Sequence, residues 1–154
     1  MNSKETLFWS IALPGFGQFL NGKLIKGTIF IFLEFLVNVQ GNINTVIIYS
    51  FQGEIETAIS NTNYLWIMFY PCLYIFAIWD AYRDAGGGKE PYAFVPFVTS
   101  AYVMTIGLIY SSTFRIFDLL LGPIWLPILS VFPAIVLGLF IKSALSRHKI
   151  KEIT

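Results

Sequence analysis

From Leu119 to Ile141 the chain runs 23 residues without a charged side chain. As a helix rising ~1.5 Å per residue, such a stretch crosses a hydrocarbon core of about 30 Å. Leu24–Gln40, Thr62–Asp80 and Tyr92–Ser112 are further apolar runs of roughly similar length, with few charges. A shorter one, roughly 6–20, is interrupted by Pro14 and Gly15. Hydrophobic residues make up 56% of the 154 residues, charged ones 12%, and mean hydropathy is +0.68. Soluble domains carry about 25% charge, and a chain of ~150 residues buries only about 70% of its unfolded surface. So much apolar surface requires the bilayer as solvent.

The apolar runs do not alternate with polar residues, as lipid-facing barrel strands must. Helices are the other structure that satisfies every backbone group in lipid. The expected fold class is therefore all-α: a polytopic integral membrane protein of about five membrane-embedded helices. The first either spans the bilayer or re-enters as a hairpin. Between the second and third, Ile43, Val46, Ile47, Phe51, Ile55 and Ile59 recur at helical spacing. The 42–61 stretch reads as an amphipathic helix at the extracytoplasmic interface or as a loop with some helix. Gly86-Gly87-Gly88-Lys89-Glu90-Pro91 is the clearest break, and a C-terminal helical extension with a basic tail follows over 92–154.

Lysine and arginine distribution orients the chain. With five spans, Lys4 and Arg115 share one side and the other eight cations lie opposite. With a re-entrant start, Lys4 changes sides and the division is one against nine. Either way the 86–91 loop and the C-terminus are expected in the cytoplasm, with the chain in a plasma (inner) membrane. Lys4 and the short apolar stretch after it lead into Pro14-Gly15 without a small-x-small cleavage pattern, so the N-terminus is expected to be retained.

Leu13-Pro14-Gly15-Phe16-Gly17-Gln18-Phe19-Leu20-Asn21-Gly22-Lys23, followed by Lys26-Gly27, resembles the opening of small bacterial membrane proteins of the two-transmembrane-helix domain family. Trp79-Asp80-Ala81-Tyr82-Arg83-Asp84-Ala85 is similar to the close of that unit. The resemblance covers roughly residues 10–40 and 75–85, within a 1–85 unit into which 42–61 is inserted. It implies a membrane protein and no catalytic residues.

Polar residues inside apolar runs are the candidate sites. Glu34 lies within Ile29–Val39, where a charge costs a few kcal/mol, so it should be neutral or paired. Gly27, Glu34, Asn38 and Gly41 share one helical face, as in a helix seam or a lined cavity. Gln18 or a tyrosine is the expected partner of Glu34, which makes Glu34, Asn38 and Gln18 a candidate intramembrane polar site. Asp80 and Arg83 are three residues apart and could pair at the interface.

Pro14, Gly15, Pro123, Pro127 and Pro133 are expected helix breaks. One solution starts the last helix at Pro127 and leaves 114–126 as a separate interfacial piece.

A net charge of +1 gives no case for nucleic acid. A lone Cys72 and a lone His148 argue against a disulfide or a metal site, and no cofactor is implied. No nucleophile elbow, paired helical histidines or phosphate loop is present in the sequence. The expected function is a non-enzymatic membrane component in contact with membrane lipid, assembling with itself or with a larger complex. The alternatives are a small transporter or channel using Glu34 and, further off, an intramembrane enzyme acting on lipid.

Overall fold

The computed structural model describes residues 2–151, with side chains through His148; residues 152–154 and the side chains of Lys149 and Lys151, part of the expected basic tail, lie outside the described residues. The fold is helical. Three helices, Leu24–Gly41, Tyr64–Asp84 and Gly122–His148, are long and apolar enough to cross a membrane, and Val95–Tyr110 is a shorter apolar helix.

The first segment folds into α1 (Ser3–Ala12) and α2 (Phe16–Leu20), separated by the Leu13–Gly15 turn. Gly15 has φ +95°, and a β-carbon there would meet Gly27 O and Ile31 Cγ1 at 2.8 Å. Only glycine combines that conformation with so close an approach. The two short helices fold back on each other: Thr6 Oγ1 lies 3.4 Å from Asn21 Oδ1, and a β-carbon on Gly17 would overlap Ser10 Oγ. The chain therefore turns back on itself at Leu13–Gly15. Lys4 and Lys23 belong to the same end of the molecule.

Helix α3 (Leu24–Gly41) stops at Asn42, which adopts a left-handed φ of 58° and donates its side-chain amide to Asn61 O. The 42–61 segment is helical in two pieces. It forms α4 (Ile43–Phe51) and α5 (Ile55–Asn61), with Val46 and Ala58 fully buried together with Ile124. Part of the apolar stripe, Val46 with the partly buried Ile47, packs on Ile124 of the last helix, a partner that local periodicity could not reveal, while Phe51 stays largely exposed.

The third apolar run is two pieces, α6 (Tyr64–Ile67) and α7 (Tyr70–Asp84). Pro71 has no N–H for the Ile67 carbonyl, which accounts for the break. α7 ends in a glycine cap: Gly86 has φ +82°, and Gly87 N donates to Tyr82 O. The loop then lies over Trp79 and Tyr82, whose rings pack with Phe97.

α8 (Val95–Tyr110) runs back to a two-residue hairpin, β1 (Arg115–Ile116) with β2 (Leu119–Leu120). α9 (Gly122–Lys151) follows directly. This corrects the expected start at Pro127 and the separate interfacial piece. Pro123 occupies the first turn, where no helical N–H is lost. Pro127 and Pro133 lie inside a helix that continues through both. Each removes one backbone bond, a loss that membrane helices tolerate when a neighbour supports them. Here that neighbour is α8: a β-carbon on Gly107 would come within 3.3 Å of Pro127 Cα, and one on Gly138 within 2.5 Å of Pro96 Cα.

Helices α3, α6–α7, α8 and α9 thus alternate in direction, with Glu34 beside Tyr70, Trp79 beside Phe97, and Gly138 beside Pro96. The α1–α2 hairpin fills one end, which carries Lys23, Lys26, Arg83, Lys89 and Lys142. The α4–α5 pair and Arg115 occupy the other.

Candidate functional site

Three arrangements hold chemistry or space. The first lies at the lysine-rich end, where the hairpin meets α7. Gln18 is fully buried, and its side-chain nitrogen donates to Ala77 O at 2.9 Å and to Asp80 Oδ2 at 3.1 Å. Asn21 donates to Ala81 O at 2.8 Å. Lys26, in the first turn of α3, contacts Asp80 Oδ1 at 2.8 Å and Asp84 Oδ2 at 2.9 Å. The two resembled motifs, some sixty residues apart in sequence, meet here residue by residue.

This cluster revises two expectations. Asp80 does not pair with Arg83; Lys26 takes it from the neighbouring helix, and Arg83 instead lies over the Trp79 ring at 5.8 Å. On a helix face shared by Asp80 and Asp84, a lysine arriving from α3 reaches both acids, whereas Arg83 is turned outward. Gln18 belongs to Asp80 and not to Glu34. Lys26, Asn21 and Asp84 were missed as site residues. The i, i+4 spacing of the two aspartates was the available signal.

The second arrangement is at mid-bundle. Tyr70 donates its hydroxyl to Glu34 Oε1 at 3.0 Å, while Glu34 Oε2 is buried with no hydrogen-bond partner. Tyr74 stacks on Tyr70 with ring centroids 5.5 Å apart and donates to Ile11 O at the hairpin tip. A tyrosine across the seam is one of the two partners expected for Glu34. Asn38 is not part of this group, because one further turn along α3 it bonds Asn44 Oδ1 at 3.1 Å. Gly27 and Gly41 on the same stripe are buried, Gly27 against the hairpin and Gly41 against Ile43 and Ile67. Gly27, Glu34 and Gly41 lie along a packing seam. Tyr70 and Tyr74 went unnamed as partners, although their i, i+4 spacing put both hydroxyls on one face.

The third is a lateral groove of about 740 Å³. α8 forms its floor from Pro96 through Ser100 to Leu108, with α7 and α9 as walls. Leu7 and Ile11 of α1 border it toward the lysine-rich end, and Phe51 of α4 toward the other. Its lining is almost wholly apolar. Ser100 Oγ is engaged by Pro96 O, and the Tyr70 and Tyr74 hydroxyls by Glu34 and Ile11.

No group of three or more metal-ligating side chains occurs among the described residues. No family model matches the chain, and no significant match is found among curated proteins or solved structures.

Proposed function

We propose that this chain is a small non-enzymatic membrane component, about five helical segments deep, that works by assembling with itself or with a larger membrane complex. The observation that carries the reading is the Asn38–Asn44 pair on the outer side of α3 and α4. It sits among the exposed apolar side chains Phe35, Val39 and Ile48. Asn38 Oδ1 and Asn44 Nδ2 are left to bond a neighbour, and side-chain amides of this kind bridge helices in lipid for about 1 kcal/mol. Gln18, Asn21 and Glu34, by contrast, are turned inward, locking the hairpin and α3 onto α7.

In the same reading the chain belongs with the two-transmembrane-helix domain proteins, and the meeting of its opening and closing motifs in space supports that placement. The lysine-rich end and the C-terminus face the cytoplasm of a bacterial inner membrane, as the one-against-nine division of cations favours. The test is co-purification from native membranes with Asn38→Leu and Asn44→Leu. A stable homo-oligomer or larger partner that both changes dissociate supports assembly. A strict monomer that co-purifies with nothing overturns it.

A second reading, proton or cation transport, rests on the unpartnered Glu34 Oε2. Flux in vesicles from purified protein alone, abolished by Glu34→Gln, would establish it over assembly.

A further inference from the structure

We infer that the α7–α8–α9 groove is a binding site for one acyl chain of an anionic phospholipid, with the headgroup at its lysine-rich mouth. The site rests on membrane insertion alone and is independent of the assembly role.

Shape and lining select the occupant. From Pro96 to Leu108 the groove follows α8 for roughly 18 Å by helix rise, and about 740 Å³ of almost wholly apolar space lies along it. The polymethylene chain of a lipid matches a long groove of that chemistry. Chemistry agrees, since the hydroxyls along the groove are already engaged and offer nothing to a polar ligand. An acyl chain leaves one apolar phase for another, so the gain comes from contacts on three sides and not from water released.

Charge selects the headgroup. Lys4, Leu7 and Ile11 share one face of α1, spaced three and four apart. Leu7 and Ile11 border the groove, so Lys4 continues that wall beyond its mouth. Across the groove, Ile128, Ile135 and Lys142 are spaced seven apart on α9, the first two lining it. Lys142 already pairs with Glu90, whereas Lys4 is exposed and makes no ion pair among the described residues. A headgroup phosphate emerging there meets Lys4, at the depth where a lysine attracts anionic lipid by about 1 kcal/mol.

The full chain is reconstituted in vesicles containing phosphatidylglycerol with a photoactivatable acyl chain, and adducts are mapped by mass spectrometry. Label should concentrate on groove-facing positions of Pro96–Leu108 and Ile124–Ile135. Unlabelled phosphatidylglycerol should displace it roughly fivefold better than phosphatidylcholine, the preference one surface lysine confers. Lys4→Gln should erase that preference, and Ser100→Phe, which fills the floor, should cut the label severalfold. Ile128→Trp, on the exposed wall, repeats the test should Ser100→Phe fail to fold. Label spread evenly onto the lipid-facing Phe32 and Phe35 of α3 overturns the site. Equal displacement by both lipids overturns the anionic headgroup. Efficient disulfide formation between copies carrying Phe132→Cys, with the groove unlabelled, assigns the groove to a second copy instead.

Discussion

Gln18 and Asp80, on the hairpin and on α7, are joined by a 3.1 Å hydrogen bond from the buried amide to the Oδ2 oxygen. The other carboxylate oxygen of Asp80 takes Lys26 at 2.8 Å, so one acid ties both the hairpin and α3 to α7. Asp80→Ala should cost about 1–3 kcal/mol, because it leaves a buried donor short of a partner. Asp84→Ala removes only a half-exposed ion pair and should cost about 0–1 kcal/mol. Thermal unfolding in detergent micelles checks the order, and equal effects would show that Gln18 contributes nothing through Asp80.

Close packing at two glycines gives a steric prediction. A methyl on Gly17 would meet Ser10 Oγ and Ala81 Cβ, and one on Gly138 would meet the Pro96 backbone at 2.5 Å. Gly17→Ala and Gly138→Ala should each destabilise by about 1–3 kcal/mol, as overpacking does. Ser143→Ala, at an exposed α9 position, serves as the neutral comparison in the same unfolding assay.

The hairpin sets the side of the N-terminus. In a background of Cys72→Ser, cysteines at Ser3 and Ser146 should react with an impermeant reagent from the same side of the membrane, and one at Asn61 from the other. Labelling of Ser3 and Ser146 from opposite sides would require α1 to cross the bilayer, against the contact of Thr6 with Asn21.

At mid-bundle, Tyr70→Phe removes the only donor to Glu34 Oε1 among the described residues. It should destabilise by about 1–3 kcal/mol, the cost of a buried acceptor left unsatisfied. Glu34→Gln retains the shape and an acceptor oxygen for Tyr70, so folding should survive it. Unfolding of both variants in one detergent makes the comparison, and Tyr70→Phe matching the parent would remove the bond from the account of the seam.

Outside the membrane, Lys142 beside Glu90 holds the Glu90 carboxyl below its usual range, through a hydrogen bond first and charge second. A carboxyl lowered by folding stabilises the fold above its unfolded value of about 4.5 and loses that contribution as pH falls through the folded value. Stability differences between the parent and Glu90→Gln should therefore be flat from pH 5 to 8 and shrink below about pH 4.5. A difference growing toward acid would reverse the sign and sink the pair. The effect should be small, since Glu90 is largely exposed to solvent.

What the sequence determined by itself was the solvent and the helices. Leu24–Gly41 and Gly122–His148 are legible because length and hydropathy are sums over consecutive residues. The helix end at the Gly86 glycines and the break at Pro14-Gly15 follow from local backbone preferences. Tertiary structure decided the rest. Whether Asp80 bonds Arg83 or Lys26 depends on which helix lies alongside, and so does the choice of Tyr70 over Gln18 for Glu34. The 42–61 stripe gives no sign that α9 covers its Val46, and Pro127 reads as a start until α8 supports the helix through it. The groove belongs to no segment, since it exists only where three helices leave space between them. Such contacts join residues far apart in the chain, 36 for Glu34 with Tyr70 and 54 for Lys26 with Asp80, separations at which the local patterns of helix and hydropathy carry no record of which side chains will meet.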